Sequence, residues 1–389
     1  MVEKVMRKMK ILMLRTNSCA PDPRVEKEAN SLLSDPDNTV KILCWDRDGR
    51  KGTFPEVLTV SNGDVPILRF GIPASWGGGM KANFIPMFKF EWKLFWWLLT
   101  HGKEYDVIHA CDLLTGLPSW LPCRLLRKKL VYDIFDYYAA TQSGPEWILN
   151  IFRKLENRII NASDATIICS EKRREQIRGS KPRKLEVIHN APSQSQISGI
   201  NEPGIKLENT SRSVRVVYVG NLVEDRFLMK ALACAERLPE IEFHIGGFGV
   251  LEEKIAQLAA EQPNIHFYGR LPYYKVLELE QKCNIMLALY DPAVPNHVYA
   301  APNKFYEALA LGKPLIMFRN TGMADVVEEM EVGAVCEPTE DGIANALRQL
   351  IDREPDWETM GARMRAMFHE QYSWEIMEQR LLELYEGLG

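Results

Sequence analysis

Regular patterning begins at Lys10–Thr16, KILMLRT, a short apolar run followed by a loop and a segment of helical periodicity, RVEKEANSLL. A second apolar run, TVKILC at 39–44, completes a strand–helix–strand unit. The alternation continues through YDVIHA (105–110), LVYDI (130–134), ATIIC (165–169) and LEVIH (185–189), separated by helix-length segments. The stretch 193–213, SQSQISGINEPGIKLENTSRS, is polar, lacks apolar periodicity and reads as a linker. Beyond it a second series runs through 214–219, 241–245, 265–268, 285–289, 314–318 and 334–336. Short β-rich runs alternating with helices predict parallel sheets covered on both faces. The expected fold is α/β, with two doubly wound, Rossmann-like parallel-sheet domains over 1–195 and 196–372 and a final helix, about 373–389, packing back onto the first. Ligands of such sheets bind outside the carboxyl ends of the strands, so a deep cleft between two facing domains is expected.

Length and composition fit that division. The chain has 389 residues, 46% apolar and 26% charged, which suits a soluble globular protein of two domains. Its net charge of −4 hides an asymmetry. Residues 1–195 carry 30 Lys and Arg against 22 Asp and Glu, net +8, whereas the remainder carries 18 against 30, net −12. A basic half joined to an acidic half points to a surface partner for one of them, and not to nucleic acid in particular. The eight cysteines have no C-x-x-C spacing and several lie in apolar runs, which predicts reduced core thiols and no zinc site. The seven histidines are expected to form no metal-ligand cluster. The first ten residues lack the apolar core of a signal peptide, and no stretch of about 18 uncharged apolar residues suggests a spanning helix. A cytoplasmic protein is expected.

The most informative stretch for chemistry is Pro302–Ile316, PNKFYEALALGKPLI. Pro302 suits a helix start, Gly312 its exit, and Pro314 enforces the stop. Lys304 and Glu307 are then neighbours on the helix surface, and its N-terminus offers N–H groups and a positive dipole end to a phosphate. The spacing alone fits equally an ordinary amphipathic helix with a solvated Lys–Glu pair. Asp46-Arg-Asp48 spells a D-x-D cation motif, but it sits in the polar turn WDRDGRKG and reads as a turn.

PNKFYEALALGKP resembles the C-terminal motif of retaining family 4 glycosyltransferases of the GT-B fold, in the branch that reads P-N-K-x-[FY]-E. Similarity extends over nearly the whole chain, through Asp22–Ala29 (DPRVEKEA), Tyr105–His109, Val131–Asp133, Ala162–Ser170, Val187–Pro192, Val219–Asn221, Gly246–Gly249 and Phe267–Gly269. The resemblance implies transfer of a sugar from a nucleoside diphosphate sugar to an acceptor hydroxyl, without a metal or other cofactor. It places the nucleotide ribose on Glu307 and the diphosphate against Arg226 and Lys304. Pro302, Ala301, Asn303, Gly220, Asn221, Gly247, Gly249 and Arg270 line the same site, Gly269–Arg270 at the nucleobase. The family's first motif Glu corresponds here to Tyr299, a departure that leaves sugar recognition to backbone groups of Ala300–Asn303. Another departure is Asn221 where the family has Arg.

On the N-terminal side the resemblance places His109 near the donor sugar and makes Asp22, Arg24, Asp112 and Asp136 acceptor-side candidates, with Asp133 a further one. Each has a structural reading as well: Asp22 as a helix N-cap, His109 as a strand-end core residue, Arg226 as a surface partner of Glu224 or Asp225. Lys81–Lys103, KANFIPMFKFEWKLFWWLLTHGK, combines tryptophans with lysines. Lys89, Lys93, Trp96 and Thr100 fall in one helical stripe, which fits an interfacial helix at a membrane surface or a buried helix whose lysines reach outward. The reading is a hexosyltransferase acting on a lipid-linked or cell-surface glycan in polysaccharide biosynthesis, with peripheral contact at the inner face of the cell membrane. Domain closure over the donor is expected to complete the site. The alternatives are a nucleotide-sugar epimerase of the same fold and a non-catalytic partner subunit, which the substitution at Tyr299 keeps open.

Overall fold

The computed structural model describes residues 8–75, 79–201, 204, 205, 207 and 214–388. The chain forms two compact units, one of residues up to Ile188 together with those from Met377, the other of His189–Ile376.

The first unit holds β1 (Lys10–Arg15), β2 (Thr39–Asp46), β3 (Gly52–Val60), β4 (Gly63–Gly71), β5 (Val107–Cys111), β6 (Lys129–Ile134), β7 (Ala165–Ile168) and β8 (Leu185–Val187). They form one sheet in the order β3-β4-β2-β1-β5-β6-β7-β8, parallel except for β3. Leu14 of β1 is paired with Leu43 on one side and Ala110 on the other. Ile11–Leu14 are all buried, as a strand covered on both faces requires.

The β3–β4 hairpin is absent from the pattern of apolar runs, which placed a turn at its start. Pro55 and Pro66 interrupt the run, and β3 is an outer strand with most side chains in solvent, where proline costs no ladder bond. Asp46 ends β2 and its Oδ1 accepts the Asp48 N–H at 2.9 Å, so the D-x-D carboxylate closes a turn.

The second unit holds β9 (Val214–Asn221), β10 (Ile241–Phe248), β11 (Ile265–Phe267), β12 (Ile285–Ala288), β13 (Leu315–Phe318) and β14 (Gly333–Cys336), all parallel, in the order β11-β10-β9-β12-β13-β14. Strand order reverses beside β1 in the first unit and beside β9 in the second, between β9 and β12. Those reversal points are where ligands meet doubly wound sheets.

The polar stretch 193–213 is more ordered than its composition suggests. Ser193 and Gln196 form a reciprocal capping box that opens the helix Gln194–Ser198, and Ile200 packs against Leu277 and Leu311. Residues 202, 203, 206 and 208–213 of that stretch lie outside the described residues, as do 1–7 of the amino-terminal segment. The helix Trp374–Glu386 carries Leu381, Leu384 and Tyr385 into the interior of the first unit, and Arg380 donates to the Val187 carbonyl at 3.1 Å. All eight cysteines are buried thiols.

Candidate functional site

In the second unit the motif residues gather at the carboxyl ends of β9 and β10. The helix Asn303–Leu311 starts after Pro302 and ends on Gly312 in the left-handed conformation (φ 67°), as its punctuation predicts. Lys304, in its first turn, is turned inward and only 9% exposed. Its Nζ stands 4.6 Å from the centroid of the Tyr218 ring, and Tyr218 is fixed by donating its hydroxyl hydrogen to the Asn221 carbonyl at 2.8 Å. Burial works against a charge on Lys304, but Tyr218, Tyr290, Glu307 and Glu280 together hold its pKa above the ordinary value. The ammonium therefore stays charged in a nearly dry position.

Two glycines make that position possible. A β-carbon on Gly220 would lie 2.7 Å from Lys304 Nζ. One on Gly247, at φ 134°, would lie 1.8 Å from the Gly220 carbonyl oxygen, so no other residue fits there. Gly249 and the exposed Asn221 follow at the same rim, and the Gly247 N–H donates to the Gly269 carbonyl at 2.7 Å. Arg270 lies over the ring of the exposed Phe248, 4.6 Å from its centroid.

Arg226 is the second cation. It pairs with Asp225 at 2.8 Å, as the surface reading foresaw, but its guanidinium also lies 4.0 Å above the Tyr290 ring and 3.3 Å from Nε2 of His297. The stacking holds the planar group in a fixed orientation. His297 is kept neutral, its pKa lowered chiefly by burial, with Nδ1 at 2.9 Å from the Asp291 carbonyl oxygen. Ala301 and Tyr299 are half-buried on the segment leading to Pro302, and the Asn303 side-chain oxygen accepts from Asn190 at 3.0 Å.

Glu307 lies one turn below Lys304 and is 3% exposed. The Tyr273 hydroxyl bonds to it, and Glu280 faces it from the helix Tyr273–Lys282. Glu280 is 1% exposed with neither carboxylate oxygen hydrogen-bonded; burial, then Glu307, push its pKa well up. Sequence reading did not single out Tyr218, Tyr273, Glu280, Tyr290 or His297. The signal available was the seven-residue spacing of Tyr273 and Glu280, two helical turns on one face.

In the first unit the expected residues divide into two sets. Arg24, His109 and Asp133 are turned into the interior. Arg24 Nη2 donates to both Asp133 oxygens at 2.8 and 2.9 Å, and its Nε donates to Glu28 at 2.9 Å. His109, wholly buried, has Nδ1 at 2.8 Å from the Tyr385 hydroxyl and Nε2 at 3.3 Å from Asp133. Burial, then Asp133, raise Glu28 to about 7, while Arg24 and His109 outweigh burial and lower Asp133. Arg24, His109 and Asp133 are bonded to one another and to Tyr385 in the interior, while Oε2 of Glu28 is buried without a hydrogen bond, 3.6 Å from Nε2 of His109.

Asp22, Asp112 and Asp136 stay at the rim. Asp22 caps the helix Pro23–Leu32, accepting from Val25 N–H at 3.4 Å, and also accepts from Arg15 at 2.8 Å. Arg15 bridges to Asp112 at 2.7 Å, and the other Asp112 oxygen accepts from the N–H groups of Phe135 and Asp136 at 2.9 and 3.1 Å. Asp112 has φ 67° and ψ 170°, a conformation seldom seen outside glycine, held by those bonds. Burial raises it to about 6 against the pull of Arg15. The Asp136 side chain is 57% exposed.

The helix Gly79–Thr100 differs from its projected stripe. Lys93 is bound inward, donating to Thr53 Oγ1 at 2.8 Å and lying 4.3 Å from the Phe70 ring centroid, because β3 offers it partners. The outward face carries Phe84, Ile85, Phe88, Trp92 and Trp96, each about half exposed, beside the exposed Lys89. No helix among the described residues is long and apolar enough to cross a membrane.

Residues 33–191 match the family model described as glycosyl transferase 4-like domain, and 213–353 match that of glycosyl transferases group 1. The D-inositol 3-phosphate glycosyltransferase of Corynebacterium urealyticum is 24% identical over 74% of this chain and 73% of its own length. A GDP-mannose-dependent monoacylated alpha-(1-6)-phosphatidylinositol monomannoside mannosyltransferase of Corynebacterium glutamicum is 28% identical over 38% of this chain and 40% of its own. Among solved structures, sucrose-phosphate synthase of Thermosynechococcus elongatus superposes with a TM-score of 0.72 at 17% identity, covering 97% of this chain and 99% of that one. Anabaena HepE in complex with UDP-glucose gives 0.66 at 16%, covering 97% and 100%.

Proposed function

Since the chain belongs to the GT-B glycosyltransferases built from a glycosyl transferase 4-like domain and a group 1 domain, we propose that it is a retaining enzyme that moves a sugar from a nucleoside diphosphate sugar to an acceptor hydroxyl. The single observation that carries this reading is the buried, charged Lys304 at the end of β9, with Arg226 stacked near the same strand end and Glu307 one turn behind. Two fixed cations in a low-dielectric position are what a departing diphosphate needs. Glu307, Asn303 and the backbone from Ala301 hold the ribose and sugar, and Arg270 with Phe248 offers a face to the base. Gly220, Asn221, Gly247 and Gly249 let the diphosphate come close to the backbone.

In the proposed step the bond from the anomeric carbon to the phosphate oxygen breaks while the acceptor oxygen bonds on the same face. The departing phosphate takes the acceptor proton, so no carboxylate nucleophile enters. Lys304 and Arg226 stabilise the charge left on the phosphate, the work a metal ion does elsewhere. Asp22, Asp112 and Asp136 at the ends of β1, β5 and β6 receive the acceptor. His109 and Arg24 position that rim through Asp133 and are not given contact with substrate.

The acceptor is assigned to a lipid-linked or cell-surface glycan, met at the cytoplasmic face of a membrane. Two observations favour it: the apolar outward face of the Gly79–Thr100 helix and a relative named for a phosphatidylinositol monomannoside.

Thermal unfolding with UDP, GDP, ADP and dTDP and their sugars tests the reading. A donor at a hundred times its Kd stabilises by about 2.7 kcal/mol, enough to rank the bases. No shift with any of them overturns it, and binding without turnover would leave a nucleotide-binding subunit in place of an enzyme.

A further inference from the structure

On the other side of the Gly247–Gly269 contact, β10 and β11 bring together a group of side chains that the donor site does not use. Glu242 and His244 alternate on one face of β10, and His266 of β11 is the register partner of His244. The ligand-type atoms of the three lie within 4.8 Å of one another. Nε2 of His244 is 3.5 Å and Nε2 of His266 3.9 Å from the Glu242 carboxylate. Neither Nε2 is hydrogen-bonded, although both are shielded from solvent. His244 is 2% exposed and Glu242 1%. A buried polar atom left without a bond is costly and asks for a partner.

The surroundings suit a metal ion. Nδ1 of His244 is 2.8 Å from the Tyr268 hydroxyl; in the tautomer whose Nδ1–H donates to that oxygen, Nε2 keeps the lone pair a metal takes. Arg215 donates to Oε2 of Glu242 at 3.3 Å, and Oε1 of Glu242 lies 3.9 Å from Nε2 of His266. The three residues line an open cavity of about 460 Å³. Ligands on a tetrahedral ion at about 2.0–2.1 Å stand roughly 3.3 Å apart, so side-chain shifts of an ångström or less bring the set into range.

We propose that Glu242, His244 and His266 form a binding site for a divalent transition-metal ion of the zinc class, with Tyr268 as the residue that orients His244. Two imidazoles and a carboxylate are ligands this class accepts. The ion ties the three-residue outer strand β11 to β10, and through β11 it fixes Tyr268 and Gly269. It lies outside the proposed diphosphate contacts and takes no part in the transfer step.

Untagged full-length protein, stripped with EDTA and dialysed, is titrated with Zn2+ by calorimetry and followed by thermal unfolding, with Co2+ as the absorbing probe. One Zn2+ per chain is expected, with a rise in melting temperature and a visible Co2+ spectrum of low coordination number. His266→Ala, at a partly exposed position, keeps the cooperative unfolding transition and loses at least about tenfold in affinity, as does Glu242→Gln; Tyr268→Phe loses about tenfold through His244. Absence of stoichiometric Zn2+ binding to the wild-type chain, or affinity unchanged in His266→Ala, overturns the proposal. Neither result depends on nucleotide binding, so the donor reading stands or falls separately.

Discussion

Lys304 places its ammonium nitrogen where a methyl group on Gly220 would come within 2.7 Å of it. The obstacle would be the end of a flexible side chain, but φ at Gly220 is 159°, a backbone conformation that L side chains rarely adopt, so Gly220→Ala also loses about 1–3 kcal/mol to strain. In protein that remains folded the ammonium is displaced from the strand end. Donor affinity falls about tenfold or more in Gly220→Ala, measured by titration with the nucleotide that ranks first in thermal unfolding. Unchanged affinity would remove Lys304 from the diphosphate site.

Arg226 and Lys304 are assigned to charge that develops as the phosphate departs. Replacing either by Ala lowers kcat about 10²–10³-fold. Arg226→Lys recovers little, because the planar group stacked on Tyr290 is lost. Glu307→Gln acts earlier, raising the nucleotide Kd about 10–100-fold through one charge-assisted bond. Single-turnover rates at saturating donor separate the two effects, and Glu307→Gln with full affinity refutes the ribose assignment. Transfer by the wild-type enzyme persists in EDTA at temperatures well below unfolding.

Glu280 gives the second unit a pH dependence. Burial and Glu307 raise its folded pKa above the unfolded value, so the folded state binds the extra proton. Stability is then lost as pH rises from the ordinary carboxylate range near 4 toward the raised value, by up to about 1.4 kcal/mol per pH unit. Glu280→Gln keeps the shape and removes the proton, so its gain over wild type grows with pH and vanishes at pH 4. Denaturant unfolding at pH 4, 6 and 8 reads the difference, and a gap that stays constant with pH contradicts the assignment.

Asp133→Asn leaves Arg24 buried with one carboxylate fewer. Breaking such a pair costs about 3–5 kcal/mol, and His109 loses a partner as well. Donor affinity, which resides in the second unit, is unaffected in protein that remains folded. A loss of acceptor turnover with stability intact would instead give Asp133 a direct role.

Phe88, Trp92 and Trp96 follow one another at four-residue intervals on the outward face of their helix. Trp92→Ser with Trp96→Ser abolishes sedimentation with anionic vesicles and leaves nucleotide binding unchanged. If the wild-type chain stays in the supernatant with vesicles of every composition tried, the acceptor need not be membrane-borne.

The strands that alternate with helices were legible from apolar runs alone, and eleven of the fourteen strands among the described residues differ from those runs by no more than two residues at either end. The β3–β4 hairpin was not, because Pro55, Pro66 and outward side chains give it no apolar signature. Lys304 and Glu307 were legible from a motif, but their inward direction depends on how the helix rolls against Tyr218 and Tyr273, which spacing does not encode. Arg24 and His109 looked like loop and strand-end polar residues, yet partners 109 and 276 residues away turn them inward. The Glu242–His244–His266 group escaped for the same reason. Its third member joins across a strand pairing, so the spacing of histidines along the chain gives no sign of it.

The hydroxyl of Tyr385 that meets His109 belongs to a stretch of the first unit that is synthesised only after the whole of the second. Everything from His189 to Ile376 is made between the body of the first unit and the helix that closes its interior. At about 5–20 residues per second the wait is roughly 10–40 s. Throughout it Arg24, Glu28 and Asp133 stand in a core still open on one side. The unit synthesised first is therefore the one completed last, and a nascent chain halted before Met377 would present a folded second unit attached to an unfinished first.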